Sequence, residues 1–92
     1  MELKRVVVTG LGAITPLGKN VEETWNALIE GKSGCGPITL FNAEKFKTQF
    51  ACEVKDFDPT LYFDKKEVRK VDRYTQLAFA AVTEAIKDCG ID

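Results

Sequence analysis

VVVTGLGAITPLG, residues 6–18, joins three consecutive valines to a glycine pair and then to a proline. The valines form a continuous β-branched run, not an alternating one. Such a run predicts a strand from Lys4 to Thr9 that is buried on both faces, as in the middle of a parallel sheet. Gly10 and Gly12 break the strand, and Pro16 and Gly18 complete a loop. A dinucleotide-binding turn has Gly-x-Gly-x-x-Gly, with a helix opening at the third glycine to hold the pyrophosphate. Here Thr15 stands at the third glycine's place, Pro16 follows, and the next helix begins only near Val21. A helix displaced that far cannot aim its N–H groups at the same phosphate. The glycine pair reads instead as a close-packed turn that needs glycine for its backbone angles.

Downstream, Asn20 is placed to cap a helix over Val21 to Glu30, with Glu23 at the capping-box position and Glu22 suited to the positive helix end. Val21, Trp25, Leu28 and Ile29 fall on one apolar stripe, and Gly31 stops the helix. Residues 33–49 read as a loop pinned by Phe41, Phe46 and Phe50, and Trp25 and the phenylalanines read as core. A short strand is expected over Phe50 to Val54, a turn at Asp58-Pro59, and a helical turn at Thr60 to Phe63. From Asp72 to Cys89 there is neither Gly nor Pro. Val71, Tyr74, Ala78, Val82, Ala85 and Cys89 lie on one helical face, while Leu77, Phe79, Ala81 and Ile86 spread apolar surface to other sides. The reading is a helix buried on several sides, with alanines that admit neighbouring backbones and Gly90 as its stop. One buried-type strand and one such helix need more layers than 92 residues supply, so the chain reads as part of a larger α/β fold.

Thirteen basic residues against fourteen acidic ones leave a net charge of -1, which argues against a dedicated nucleic-acid binder. No apolar run is long enough to span a membrane, and the start lacks a signal peptide's pattern. A cytoplasmic location is expected. Cys35, Cys52 and Cys89 are odd in number and match no zinc or redox spacing, so they read as reduced, ordinary thiols. The chain has no histidine, so it cannot by itself build a Cys-His or Ser-His-Asp site.

The one charged constellation is Lys65-Lys66-Glu67-Val68-Arg69-Lys70-Val71-Asp72-Arg73. Lys66, Arg69, Lys70 and Arg73 stand at i, i+3, i+4 and i+7, so a helix would gather them on one face, with Val68 and Val71 turned toward the core. A solvated face and a docking patch for an acidic partner both fit that pattern. A local basic face in a charge-balanced chain steers acidic partners without general polyanion binding.

The order KRVVVTGLGAITPLG, NVEETWNALIEGKSG, FACEV, FDP and KKEVRKVDRYTQLAFAAVTEAIKDCGI, from Lys4 to Ile91, resembles the start of an elongating, type II β-ketoacyl-acyl-carrier-protein synthase. The TGLGxxTPLG and KExRKxD stretches are specific together. The resemblance implies a thiolase-like fold of layered αβαβα form, of which residues 1–92 would be the N-terminal segment and the remainder of the domain would be absent. It implies an acyltransferase of fatty-acid biosynthesis, a homodimer, that elongates acyl chains on acyl carrier protein by decarboxylative Claisen condensation with malonyl-carrier. Neither the family's catalytic cysteine nor its two histidines falls in the matched segment, so no catalytic residue carries over. No cofactor or metal is expected on this segment, since the substrate rides on the phosphopantetheine of acyl carrier protein. The carrier-docking face does carry over, onto Lys66, Arg69 and Lys70, with Lys65 and Arg73 as neighbours that add to the field. The alternatives are a non-catalytic carrier-binding module and a fragment of a polyketide-type ketosynthase.

Overall fold

The computed structural model describes residues 2–91. In chain order it has helix α1 (Val21–Ile29), strands β1 (Cys35–Pro37) and β2 (Phe50–Cys52), a 3-10 turn (Pro59–Leu61), a short helix α2 (Lys65–Val68) and the long helix α3 (Arg73–Cys89). The two strands pair antiparallel, with Cys35 opposite Cys52, Gly36 opposite Ala51 and Pro37 opposite Phe50.

α1 begins as its sequence dictates. Asn20 accepts a hydrogen bond from the Glu23 N–H at 2.8 Å, and the Glu23 carboxylate accepts from Lys19 N–H at 2.8 Å. Its end is a Schellman closure: Gly31, at φ 73°, donates to Leu28, and Lys32 donates to Ala27. Before α1, Thr15 and Gly18 exchange backbone hydrogen bonds across Pro16-Leu17, and the Thr15 hydroxyl meets that of Thr24 at 3.0 Å. α3 ends at Gly90, at φ 68°.

The predicted strand from Lys4 to Thr9 does not form. Val6 is 88% and Val8 79% exposed, because no neighbouring strand among the described residues offers its backbone a ladder. The α1 stripe is likewise uncovered: Trp25 is 60% exposed, and Ala27 is the residue that α1 buries. Phe41, Phe46 and Phe50 do not pin their loop to a core. They are exposed, and Phe41 and Phe46 meet each other edge-on at 5.7 Å. That loop is held by a polar latch, in which the Glu53 carboxylate accepts from the Thr39 N–H and hydroxyl and from the Leu40 N–H. β1 also forms inside the stretch read as loop, with β2 as its partner.

α3 is the frame on which the rest is hung, through Val71, Ala85 and Cys89 of the predicted face and, beside them, Gln76, Ala80 and Ala81, while the rest of that face is uncovered. Tyr74, Ala78 and Val82 are exposed, while Gln76 (7%) and Ala80 (5%) are buried. A Cβ at Gly12 would overlap the Ala81 carbonyl oxygen, and one at Gly10 would lie 2.8 Å from the Cys89 Cβ. Neither glycine has a positive φ. They are required for close approach of the loop to α3, not for unusual backbone angles, and the small Ala81 and Ala85 make room for that approach. Phe57, Tyr62, Phe63 and Phe79 form a chain of ring contacts, with centroids 4.9 to 6.3 Å apart, that ties the 3-10 turn to α3.

Candidate functional site

The basic segment is broken into two helices rather than one. α2 ends at Val68 with Arg69 as its C-cap, and α3 starts afresh at Arg73. The seven-residue spacing therefore does not set all the cations on one helical face. Lys65, Lys66, Arg69 and Lys70 together line a shallow, open groove of about 400 Å³. All four are exposed. Among the described residues the only ion pair is Glu30 with Lys32, so none of the four is neutralised by one. Arg73 stands apart. Its Nη2 donates to the Val54 carbonyl at 2.8 Å, and its guanidinium lies 5.9 Å from the centre of the Phe57 ring.

What holds this cationic corner is Gln76, a residue the sequence reading did not single out. Its buried Nε2 donates to the carbonyls of Val68 and Val71, each at 3.2 Å. Those carbonyls lie at the end of α2 and in the turn before α3, so one amide group sets the angle between the two helices. The half-buried Val68 and Val71 face inward as expected. The sequence carries little signal for it, since Gln76 follows Arg73 and Thr75 in the first turn of α3, where polar residues are ordinary.

The glycine turn is closed to anions. The Leu11 N–H donates to the Asp88 carboxylate at 2.9 Å, and the Ala13 N–H donates to Glu84 at 2.9 Å. Glu84 also accepts from the Val21 N–H, the first amide of α1, at 3.1 Å. The amides a phosphate would use are thus taken by two carboxylates, whose charge repels it. None of the cysteines has a histidine beside it to activate it for acyl transfer, since the chain has none. Cys35 and Cys52 sit on the small sheet, and Cys89 donates its thiol to the Ile86 carbonyl at 3.0 Å.

The family model described as "Beta-ketoacyl synthase, N-terminal domain" matches residues 3–92. The chain belongs to this family. As a β-ketoacyl synthase N-terminal domain sequence it is 50% identical over 92 residues to the 3-oxoacyl-[acyl-carrier-protein] synthase 2 of Coxiella burnetii, covering 100% of this chain and 22% of the relative. It is 50% identical over 88 residues to the enzyme of that name from Synechocystis sp., covering 96% and 21%. A solved structure, the ishigamide ketosynthase/chain length factor, superposes with a TM-score of 0.82 at 40% identity, over 94% of this chain and 21% of that one. The fold is therefore that of a ketosynthase N-terminal domain, and the chain spans about a fifth of the length of the curated relatives it matches. Among the described residues no helix is long and apolar enough to cross a membrane.

Proposed function

We propose that this segment belongs to an acyl-chain-elongating β-ketoacyl-acyl-carrier-protein synthase and supplies its carrier-docking corner. The observation that carries the reading is the cluster of Lys65, Lys66, Arg69 and Lys70 around one open groove, with no ion pair, in a chain half identical to synthases of that name. The partner is acyl carrier protein, met through an acidic surface. The four cations raise its encounter rate and set its orientation more than they add affinity. Arg73 contributes its field from a fixed position, since its fork is already engaged with Val54.

In the complete enzyme the acyl group passes from the carrier's phosphopantetheine thiol to a cysteine outside this segment. Malonyl-carrier then loses carbon dioxide, and the resulting carbanion attacks the acyl thioester, releasing the cysteine thiolate and leaving a β-ketoacyl-carrier longer by two carbons. The residues described here perform none of those steps. They bring the carrier to the entrance. Homodimerisation and a cytoplasmic location belong to the same proposal. So does the covering of Val6–Val8, Trp25 and the outer face of α3 by further layers of the domain.

The likeness to a ketosynthase/chain length factor supports a polyketide-type ketosynthase as second reading, with the 50% identity to the synthases favouring the first. The test is to give the complete protein acyl-carrier and malonyl-carrier and to follow products by mass spectrometry. A β-ketoacyl-carrier two carbons longer, formed with release of carbon dioxide, supports the proposal. Absence of any condensation product with active carriers refutes it, and chains extended repeatedly without β-keto reduction favour the second reading.

A further inference from the structure

Cys35 on β1 and Cys52 on β2 are set directly opposite each other across the antiparallel ladder. Ile38 N–H donates to the Gln49 carbonyl at 3.0 Å, which makes Ile38 and Gln49 a hydrogen-bonded pair. Alternation along the ladder then makes Pro37–Phe50 a non-hydrogen-bonded pair, as suits a proline with no N–H. It makes Gly36–Ala51 hydrogen-bonded and Cys35–Cys52 non-hydrogen-bonded. Opposed residues of that last type have Cα atoms about 4.5 Å apart and side chains on one face of the sheet. This falls within the roughly 4.4–6.8 Å window in which two cysteines bridge without backbone movement. Both thiols are free and exposed, whereas Cys89 is engaged at the end of α3 beside Gly10.

We propose that Cys35 and Cys52 form a reversible thiol–disulfide site that closes the β1–β2 hairpin, with a low-molecular-weight disulfide such as oxidised glutathione as oxidant. One cysteine thiolate attacks the small disulfide, forming a mixed disulfide and releasing one small thiol. The second cysteine thiolate attacks the protein-side sulfur, forming the Cys35–Cys52 bond and releasing the second small thiol. The two cysteines are oxidised by two electrons, one small disulfide is reduced to two thiols, and the two cysteine protons pass to those thiols. Desolvation, and next the adjacent Cys52 thiol, raise the Cys35 pKa. Attack by Cys35 therefore accelerates as pH rises, because the thiolate is the nucleophile. The bridge would lock the segment between the cysteines, including Thr39 and Leu40, whose amides are held by Glu53. This inference is independent of carrier docking.

The test uses the complete protein, incubated with oxidised glutathione, alkylated, digested with trypsin without reduction and analysed by mass spectrometry. The expected product is the peptide Ser33–Lys45 joined to Thr48–Lys55, two hydrogens lighter than their sum, forming faster at higher pH and reverting with dithiothreitol. In Cys35→Ser the link disappears and Cys52 carries glutathione. Protein unfolded in urea should also yield links to Cys89, showing that the native pairing comes from the fold. Full alkylation of Cys35 and Cys52 after prolonged oxidation of the native protein overturns the proposal, as does native pairing through Cys89 or between two copies.

Discussion

Glu84→Ala removes the carboxylate that joins the glycine turn, α1 and α3. Glu84 is half-buried and accepts from the Ala13 N–H at 2.9 Å and the Val21 N–H at 3.1 Å. Its truncation leaves two backbone donors without their partner. A fully buried orphan donor costs about 1–3 kcal/mol, and partial access of water puts each of these near the lower end, at about 1 kcal/mol. The lost negative charge beside the first amide of α1 adds about 0.3–1 kcal/mol. The sum is about 2–3 kcal/mol. Glu84→Gln keeps one acceptor oxygen but loses the charge, so its cost should be about half that. The assay is urea unfolding of the complete protein, read as a shift in midpoint at unchanged slope. Amide hydrogen exchange at Ala13 and Val21 shows whether the effect is local. An alanine variant within about 0.5 kcal/mol of wild type, the range of an ordinary surface substitution, would refute the clamp.

Gly12→Ala should cost about 1–3 kcal/mol or more, since its Cβ meets the Ala81 carbonyl, and thermal melting should place it well below Gly36→Ala, where a Cβ meets open space. Acid should release the polar latch at Glu53. Hydrogen bonding by the Thr39 hydroxyl, and then by the Leu40 and Thr39 amides, lowers its pKa below the ordinary 4.5. A depressed folded-state pKa means that the latch's stabilisation is present above pH 4.5 and is lost as pH falls through the folded value. The Thr39 amide resonance should titrate below pH 4.5, and Thr39→Val should move that midpoint upward. Gln76→Leu should leave the Val68 and Val71 carbonyls without their shared donor. It should raise the KM for carrier-bound substrate with kcat on a small thioester mimic unchanged, and a Gln76→Glu variant should not restore it.

The legible parts of this fold are those decided within a few residues. The Asn20 cap, the Gly31 and Gly90 stops and the Asp58-Pro59 turn all follow from local backbone chemistry, and all occur. Val6–Val8 fail as a strand because a strand is a pairing, and the described residues hold no partner for it. α3 was legible as a helix but only in part in its facing. The apolar count points to Tyr74, Ala78 and Val82, which are exposed, whereas contacts run through Gln76, Ala81 and Glu84, and the Gly12 and Ala13 partners of the last two lie far off in sequence. The same applies to the cationic corner. Four of the five basic residues gather, but on a helix of four residues, its cap and the turn that follows. Arg73 leaves the group because Val54 and Phe57 are brought to it by the tertiary fold. The opposition of Cys35 and Cys52 depends on a strand register that spacing alone does not reveal.

The proposed docking of an acidic carrier on Lys65, Lys66, Arg69 and Lys70 is probed by the double charge reversal Arg69→Glu with Lys70→Glu. Exposed pairs are worth about 0.2–1 kcal/mol each, and reversal replaces attraction with repulsion of similar size. Two reversals therefore sum to about 0.8–4 kcal/mol, so the KM for carrier-bound substrate should rise at least about 4-fold in the complete protein, at roughly 1.4 kcal/mol per tenfold. The difference should shrink as salt is raised. Small thioester mimics should react as they do with wild type. An equal loss on both substrates, or no change with the carrier, would contradict the account.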